Sequence, residues 1–505
     1  MSEAPPPGGG SLSEVQAERR RKVAELAARG VAAWGVDFHP DHSCAVAAAA
    51  APDEPGELGE RVSVAGRILR LRRAGGIAFA DCYDESGRMQ LLASRESAGE
   101  ELLAWLQELD LGDLVGAVGR LTRTRSGEPS LALEGLTLLA KSLRPPAGKH
   151  RGVVDQELRY RRRYLDLLTE PTHRDIFRQR SAIIQALRRV LAERRFMEVE
   201  TPTLLAIPGG GDARPFLTHH HSLDADLYLR IALELYLKRL LVSGFERVYE
   251  LGRVFRNEGL SPRQNPEFTL LEAYEAYGNR DSMMELCEAL VWAAVEASGA
   301  EGGPVEQDSP LRPPYRRQSM LELVAEVGGI AAEPLWDDPR RLAEEAVRRG
   351  VELTDQSSSG RMLVAIYEQL VEPKLEHPVF VTDYPIEVSP LARSGPDPRF
   401  TERFEMVVAG RELANAFSEL NDPLEQRRRL QEQAQRRAAG DQEAQMLDAD
   451  FVEALEYGMP PAGGIGIGVD RLVMLVTGAT TIRDVLLFPT LRPEPQDGPP
   501  ADSLP

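Results

Sequence analysis

Three short segments decide the fold of this chain: FRNE at 255–258, NPEF at 265–268 and GGIGIGVDRL at 463–472. The first two are joined by a turn-rich loop, GLSPRQ, and together they carry an arginine, a glutamate and an aromatic ring. The third has glycine at alternate positions, so one strand face lacks side chains and its backbone can approach a ligand closely. An arginine for phosphate, a ring for base stacking and a second arginine for the opposite face are enough to hold ATP. The sequence contains no GxxxxGK[ST] loop and no strand–GxGxxG–helix fingerprint.

Composition indicates a large globular protein. The 505 residues are enough for two or three domains, with 42% hydrophobic and 28% charged residues. The three cysteines share no metal-ligand spacing and cannot all pair, which predicts a reducing, cytoplasmic location. No apolar run reaches the roughly 18 residues of a membrane helix, so we expect no membrane partner. A net charge of −19 argues at first against RNA, but phosphate contacts need only local basic patches, such as 70–73 and 149–164.

The chain divides into four predicted parts. Residues 1–60 form an extension with a disordered Pro/Gly-rich start, an amphipathic helix from Leu12 to Gly30 that Ser13 could cap, and a linker. Residues 61–146 contain five short β-like runs and one helical stretch, which fit an oligonucleotide-binding (OB) barrel or another small β-barrel. Residues 152–492 alternate helices and strands and are expected to form an α+β domain. We expect a disordered tail at 493–505.

The motifs also point to a family. FRNE–NPEF and GGIGIGVDRL resemble motifs 2 and 3 of the class II aminoacyl-tRNA synthetases. Longer stretches resemble the bacterial-type lysyl-tRNA synthetases: RYRRRYLDLL (159–168), FMEVETP (196–202), the segment 214–241, SELNDP (418–423) and RDVLLFP (483–489). The likeness runs from about residue 60 to about residue 492. It implies an OB-fold that binds the anticodon, followed by a class II catalytic domain built on an antiparallel sheet.

The resemblance implies that the chain activates L-lysine with ATP and transfers it to the 3′ end of tRNA(Lys). Because the carboxylate and the triphosphate are both anions, the site needs cations rather than a general base. Arg256 would hold the α-phosphate and the substrate carboxylate, and Arg471 would cover the adenine and reach the terminal phosphate. These are the two expected catalytic residues. The other expected ATP-binding residues are Glu258, Gln264, Asn265, Phe268, Glu405 and Glu412.

Glu405 and Glu412 match the family's metal-binding pair. Two carboxylates beside a triphosphate suit Mg²⁺, a hard cation that binds oxygen ligands. The alternative is a pair of surface glutamates.

Substrate choice is expected to rest on Glu234, Glu272 and Glu419. If these converge without compensating arginines, the cluster resists ionisation unless a cation joins it. One ammonium–carboxylate contact at ~4 Å is worth ~4 kcal/mol before desolvation at an effective dielectric of ~20. The pocket would therefore select the two ammonium groups of lysine, with the deepest glutamate contacting the ε-amino group. By resemblance, the lysine-binding residues are Gly210, Glu234, Arg256, Glu272, Tyr274, Asn415, Phe417 and Glu419.

Three barrel residues match the family's anticodon-binding positions, namely Arg72, Phe79 and Gln90. Single-stranded RNA is read by aromatic stacking and by hydrogen bonds to base edges. The alternative for Phe79 is a residue of the barrel core. Pro202 closes a stretch resembling motif 1, which implies a homodimer.

Four positions depart from the family pattern. Arg195 replaces a usual glycine, Gln264 a frequent histidine and Leu233 a usual proline. Gly135 aligns with a glutamate that in some members reads the central anticodon base, which puts anticodon stringency in doubt.

Three other functions remain open from the sequence. A paralog could activate lysine and pass it to a protein, although known relatives of that kind lack the N-terminal barrel. A non-catalytic RNA-binding protein would be expected to lose Arg256, Glu258 or Arg471, which are all present. An aspartate- or asparagine-specific synthetase shares the motifs, but an acidic substrate needs a cationic partner in the pocket.

Overall fold

The computed structural model describes residues 12–146, 155–299, 309–353, 358–441 and 444–494. Its contacts divide the chain into two compact units, residues 1–172 and residues 173–505. The disorder predicted for residues 1–10 and for residues 495–505 of the tail lies outside the described residues. The basic segment at 149–152 also lies outside the described residues.

Five strands of the first unit close into a barrel, in the order β1-β2-β3-β5-β4 within its described residues. The elements of this unit are α1 (Leu12–Ala28), α2 (Cys44–Ala49), β1 (Arg61–Ala74), β2 (Ile77–Tyr83), β3 (Arg88–Ser94), α3 (Arg95–Glu108), β4 (Leu114–Arg123), β5 (Pro129–Ala140), α4 (Gln156–Arg161) and α5 (Arg163–Thr169). Alternate residues of β2 and β3 fill the barrel and are fully buried: Ala78, Ala80, Cys82, Met89, Leu91 and Ala93. The predicted OB-fold is confirmed. Ser13 lies within α1 and does not precede it, so its expected capping role was wrong.

The second unit is built on an eight-stranded sheet in the order β12-β13-β14-β15-β16-β11-β10-β6. The strands of this unit are β6 (Met197–Glu198), β7 (Leu204–Leu205), β8 (Leu217–His220), β9 (Ala225–Leu229), β10 (Arg247–Phe255), β11 (Glu267–Ala276), β12 (Arg316–Ser319), β13 (Val379–Thr382), β14 (Arg403–Val408), β15 (Arg411–Ser418) and β16 (Ala462–Gly468). The pairs β6–β10 and β12–β13 are parallel and the other neighbours in the large sheet are antiparallel. Strands β7, β9 and β8 form a separate small sheet.

Helices surround this sheet. They are α6 (Asp175–Glu193), α7 (Glu234–Val242), α8 (Arg280–Ser298), α9 (Met320–Glu326), α10 (Pro339–Arg348), α11 (Ser359–Leu370), α12 (Pro423–Ala438), α13 (Ala449–Glu456), α14 (Val469–Thr477) and α15 (Ile482–Val485). Short 3₁₀ turns occupy Glu333–Leu335, Glu372–Lys374 and Ile386–Val388.

The two faces of the central strands have different chemistry. One face packs against α6, α8 and α14 through apolar side chains, including Leu271 of β11, Ala414 of β15 and Ile467 of β16. Since successive side chains of a strand point to opposite faces, the neighbouring residues of these strands are presented on the other face. There several side chains are polar or absent, as at Glu272 and Gly466, beside apolar residues such as Phe268 and Phe417. The predicted α+β fold with an antiparallel catalytic sheet is therefore confirmed.

Among the described helices, none is both long enough and apolar enough to cross a membrane.

Candidate active site

A cleft on the polar face of the large sheet brings together the segments 255–258, 265–268 and 463–472. It has a volume of about 1110 Å³, including its open mouth. Its walls come from the loop after β10, from β11, β15 and β16, and from the start of α14. The predicted ligand-binding residues that line it are Gly210, Glu234, Arg256, Glu258, Gln264, Asn265, Phe268, Glu272, Tyr274, Glu412, Asn415, Phe417 and Arg471. Two others, Glu405 and Glu419, are not part of this lining.

Strand register explains why residues so distant in sequence meet. Gly466 of β16 stands between Glu272 of β11 and Asn415 of β15. Two residues earlier, Gly464 stands beside Tyr274. Because alternate residues of a strand share a face, both rows present their side chains to the cleft.

The glycine at 464 is required by close packing. A Cβ there would lie 2.0 Å from Oε1 of Glu419 and 2.4 Å from a ring carbon of Tyr274. No residue other than glycine fits without displacing one of these groups. A Cβ at Gly466 would meet its nearest atom, Cγ of Glu272, at 3.7 Å, which is an ordinary contact.

Arg256 lies near the middle of the cleft. Its guanidinium carbon is 5.2 Å from the ring centroid of Phe268, and its Nε donates to the carbonyl of Ile231 at 3.4 Å. Burial raises the pKa of Glu272, and the charge of Arg256 acts in the opposite direction. The guanidinium thus contacts an aromatic face and also influences a buried carboxylate.

The loop between β10 and β11 contributes residues at the rim. Glu258 and Gln264 are exposed there, whereas Asn265 is buried. The Nδ2 of Asn265 donates to the carbonyl of Glu267 at 2.6 Å, and its Oδ1 accepts from the backbone N–H of Thr490 at 3.2 Å. Both ends of this amide therefore contact backbone, and Asn265 fixes the loop.

Positive charge accumulates at one end of the cleft. Arg471 donates from Nη1 to the carbonyl of Glu412 at 2.9 Å, and the same nitrogen lies 3.4 Å from the Glu412 carboxylate. Burial lowers the pKa of Arg411, and the charges of Arg263 and Arg471 lower it further. Within the described residues, the buried Nε of Arg411 has no hydrogen-bond partner. Sequence reasoning missed Arg411, although it directly precedes Glu412.

The two glutamates expected to bind metal occupy neighbouring strands but different environments. Glu412 lines the cleft, whereas Glu405 receives a 2.6 Å hydrogen bond from Nη2 of Arg403. Burial, followed by the charge of Glu412, raises the pKa of Glu405 to about 7. Glu372 adds a third carboxylate nearby and accepts from the backbone N–H of Glu412 at 3.1 Å. Across the described ranges, no group of three or more His, Cys, Asp or Glu side chains is arranged as a metal-ligand set.

Three buried glutamates converge at the other end of the cleft, as expected. Glu272 accepts from the backbone N–H of Leu233 and from the hydroxyl of Tyr274, each at 3.0 Å. Burial, followed by the charge of Glu234, raises the pKa of Glu272 to about 7. Burial also raises the pKa of Glu234 and of Glu419. The groups are therefore close enough for each charge to affect the others.

The cluster also contains an internal cation, a lysine that the expectation about arginines did not include. The Nζ of Lys238 on α7 lies 2.5 Å from Oε1 of Glu234, which precedes Lys238 by one helical turn. The same Nζ also pairs with the carboxylate of Glu419. The side chain of Lys238 is fully buried. Two of the three glutamates thus share one internal ammonium, while Glu272 is held by neutral donors.

Neighbouring residues shape the same end of the cleft. Gly210 has φ of +82°, and a Cβ there would lie 3.1 Å from Cβ of Glu234. Asn415 accepts from Nε of Arg403 at 3.0 Å, which fixes the orientation of its amide. The ring centroid of Phe417 is 5.4 Å from Nζ of Lys238.

The three barrel residues lie on one face of β1, β2 and β3 in the first unit. Phe79 pairs with Arg72 across the strands, and the guanidinium carbon is 5.4 Å from the ring centroid. Phe79 is half-buried on the outer side of the barrel, so it does not belong to the barrel core. Gln90 pairs with Asp81 and is only 3% exposed, and its carbonyl accepts from the hydroxyl of Ser130 at 3.0 Å.

Comparison with known proteins gives two family matches. Residues 155–492 match the model of the class II tRNA synthetases (D, K and N), and residues 62–139 match the OB-fold nucleic acid binding domain. The lysine–tRNA ligase of Moorella thermoacetica is 49% identical over 95% of this chain and 98% of its own length. The lysine–tRNA ligase of Bacillus subtilis is 46% identical over 96% of this chain and 98% of its own length. That of Thermosynechococcus vestitus is 47% identical over 97% and 99%, respectively.

Proposed function

The chain belongs to the class II tRNA synthetases of the D, K and N group, and we propose that it is a lysine–tRNA ligase. It activates L-lysine with ATP and then transfers the lysyl group to the 3′ end of tRNA(Lys). The observation that carries the choice of lysine is the cluster of Glu234, Glu272 and Glu419 around one directly paired ammonium, that of Lys238. The three carboxylates outnumber the ammonium that pairs with them, which suits a guest with two ammonium groups.

The first step joins two anions. A carboxylate oxygen of lysine attacks the α-phosphorus of ATP, and the bond to pyrophosphate breaks as the lysyl-adenylate forms. Arg256 contacts the ring of Phe268 and its charge acts on Glu272, so it can neutralise both the α-phosphate and the substrate carboxylate. A preorganised cation of this kind lowers the barrier because the site does not have to reorganise as charge develops.

The nucleotide is held by residues at the arginine-rich end. We assign Phe268 to one face of the adenine and Arg471 to the other, with Glu258 accepting from the adenine amino group. Base–aromatic stacking contributes ~1–3 kcal/mol. Gln264 lies at the rim where the triphosphate would extend, and Asn265 acts by fixing the loop. The glycines of β16 allow the backbone to lie close to the nucleotide.

The residues around Glu405 and Glu412 fit Mg²⁺. The charge of Glu412 contributes to the raised pKa of Glu405, so a cation would relieve a repulsion present in the protein. Mg²⁺ is usually bound by one or two carboxylates together with substrate phosphates, so no larger ligand set is needed. When bound, it would neutralise phosphate charge. Arg403 holds the Glu405 carboxylate in place.

Lysine is held by the cluster at the opposite end. We assign Glu234 and Glu272, which line the cleft, to the α-amino group, and Glu419, which lies deepest, to the ε-amino group. The Oε1 of Glu419 has no hydrogen-bond partner among the described residues, although it is buried. A buried carboxylate oxygen without a partner favours a cationic ligand. Gly210, Tyr274, Asn415 and Phe417 complete this subsite.

The barrel supplies a surface for the anticodon. We propose that Phe79 stacks on a base and that Arg72 contacts a base or a phosphate, which accords with their adjacent positions on the outer face. Gln90 is nearly buried, so its contribution to base recognition requires its exposed edge or a local rearrangement.

Two further assignments are proposals from the family. The stretch ending at Pro202 includes β6, the edge strand of the large sheet, and we propose that it forms a homodimer interface. We also propose a cytoplasmic location.

Aminoacylation tests the proposed function. Purified protein, ATP, Mg²⁺ and labelled lysine should charge a tRNA(Lys) transcript, and a tRNA with a changed anticodon should be charged less efficiently. Activation of lysine without charging of any tRNA would instead indicate a paralog that modifies a protein.

A further inference from the structure

Lys238 is an unusual residue for the interior of an anionic site. It lies on α7 and its side chain is fully buried. Its ammonium pairs with Glu234 on the same helix and with Glu419 beyond the end of β15. Two aromatic rings cover the remaining directions, with centroids 5.4 Å (Phe417) and 5.9 Å (Phe451) from Nζ.

A buried ammonium is tolerated only when it is paired. Burial lowers the pKa of Lys238, but its two glutamate partners have the larger combined effect and raise it overall. The ammonium therefore stays protonated over the pH range in which the glutamates titrate. Its charge lowers the pKa of Glu419 and of Glu234 against the effect of burial.

The other charged and titratable groups facing this cluster come from several elements. Those that influence the cluster are Asp212, Arg256, Glu272, Tyr274 and Arg403. The two arginines favour ionised glutamates, whereas Asp212 and Glu272 oppose ionisation of their neighbours. None of these side chains is placed between Lys238 and its two carboxylate partners, which it contacts directly.

The cluster also has a defined geometry. Lys238 pairs with Oε2 of Glu419, while Oε1 of the same carboxylate lies where a side chain of Gly464 would stand on the cleft face of β16. One oxygen of Glu419 thus pairs with Lys238, and the other lies beside Gly464, which lines the cleft. The partner on the other side, Glu234, lines the cleft itself.

We propose that Lys238 is a positioning and specificity-determining residue of the amino-acid subsite. It pairs directly with Glu234 and Glu419, which favours their ionised forms, and holds one oxygen of Glu419 so that the other can accept from the substrate ammonium. A protonated glutamate would have one fewer acceptor and no charge for an ammonium. This inference rests on the proposed function, because it assigns how the same site recognises its substrate.

The test is the pH dependence of lysine activation in the full-length protein. Lysine-dependent ATP–pyrophosphate exchange is measured from pH 6 to pH 9.5 for the wild type and for Lys238→Met. Loss of one adjacent positive charge shifts the pKa of a carboxyl group upward by ~1–3 units. The KM for lysine in Lys238→Met should therefore be at least tenfold higher at pH 7 than in the wild type. The pH dependence of this KM should be displaced by ~1–3 units toward alkaline pH. The KM for ATP should change less than threefold.

The matched control is Arg239→Met on the same helix. Arg239 pairs with Asp448 and Asp450 rather than with the glutamate cluster. This variant also removes a cation from α7, and its pH profile for lysine should match that of the wild type. A merely structural role for Lys238 would raise the KM at all pH values without moving the profile, and that result would overturn the proposal.

A charge-balanced variant covers the case in which Lys238→Met does not fold. Replacing both partners, as in Lys238→Met/Glu419→Gln, removes one charge of each sign, and such exchanges of buried pairs are often tolerated. Its lysine KM is compared with that of Glu419→Gln alone. The proposal predicts that the methionine raises the lysine KM by a smaller factor in this background than in the wild type, because only Glu234 then loses its cation. An equal loss in both backgrounds would show that Lys238 does not act through Glu419.

These outcomes are separate from those that test the function itself. If the wild type activates no lysine, the proposed function fails. If the wild type activates lysine and Lys238→Met keeps the wild-type pH profile, only the role of Lys238 is wrong.

Discussion

Glu419 packs directly against Gly464: its carboxylate oxygen Oε1 lies 2.0 Å from the position that a Cβ on residue 464 would take. The glycine belongs to the motif near the C-terminus, and the glutamate belongs to the proposed lysine subsite. The backbone that approaches the nucleotide therefore also leaves room for the carboxylate that selects the amino acid. This contact links the two ends of the cleft.

Replacing Gly464 by alanine tests that link. The new Cβ would displace the Glu419 carboxylate or the ring of Tyr274, because both lie within 2.4 Å of it. We expect the KM for lysine in ATP–pyrophosphate exchange to rise at least tenfold. Gly466→Ala adds the same methyl group to the same cleft face with only ordinary protein contacts, so it measures the effect of lost cleft space alone. A lysine KM for Gly464→Ala within twofold of that of Gly466→Ala would contradict this packing argument.

Glu419→Gln should weaken lysine binding far more than ATP binding. The substitution keeps the shape of the side chain but removes a buried charge that we assign to the ε-ammonium. Loss of a charged hydrogen bond of this kind costs ~1.5–3 kcal/mol, or about tenfold to a hundredfold in the KM for lysine. Glu258→Gln at the rim should show the reverse pattern, with a greater effect on ATP. Equal effects of Glu419→Gln on both substrates would remove Glu419 from the lysine subsite.

Arg256→Ala should abolish exchange while the protein remains folded. The side chain is the proposed clamp on the α-phosphate, and removal of one such preorganised donor costs ~3–4 kcal/mol of transition-state stabilisation. The control is Arg253→Ala, because Arg253 is an exposed residue of β10, three positions before Arg256, and is not part of the cleft lining. Circular dichroism and thermal melting show whether each variant is folded. Normal exchange by Arg256→Ala would refute the assigned role.

Arg195→Gly should stabilise the protein. Arg195 follows α6 with φ of +63°, and the N–H groups of Arg195 and Phe196 donate to the carbonyls of Ala192 and Leu191. This is the Schellman motif, in which glycine is favoured because a Cβ strains the left-handed conformation by ~1–2 kcal/mol. The greater freedom of glycine in the unfolded chain offsets ~0.5–1 kcal/mol of this, so a rise in melting temperature of roughly one to two degrees is expected for a protein of this size. Arg194→Gly, at a residue with φ of −86°, should instead lower the melting temperature.

The sequence was sufficient for the overall fold and for much of the cleft. The alternating glycines of β16 and the two runs that became β10 and β11 have strong local patterns, and antiparallel register then places Glu272 beside Gly466. Each prediction of this kind depends on strand periodicity, which the sequence shows directly.

The internal cations were the main omission. Glu234 and Lys238 are four residues apart, a spacing that places both on one side of a helix, so half of this pairing was visible in the sequence. The contact of Lys238 with Glu419 was not, because it depends on how α7 packs against the end of β15. Arg403 and Glu405 are likewise two residues apart on one strand face, and they pair directly. The importance of this pair depends on its burial, which the sequence does not show.

The most direct test of the central claim is ATP–pyrophosphate exchange by the wild-type protein with each of the twenty amino acids in turn. The account predicts that lysine stimulates exchange strongly, because its two ammonium groups match the cluster of three carboxylates beside the ATP site. Aspartate and asparagine should give no stimulation above background. Exchange stimulated by either of these two, or by no amino acid at all, would contradict the account.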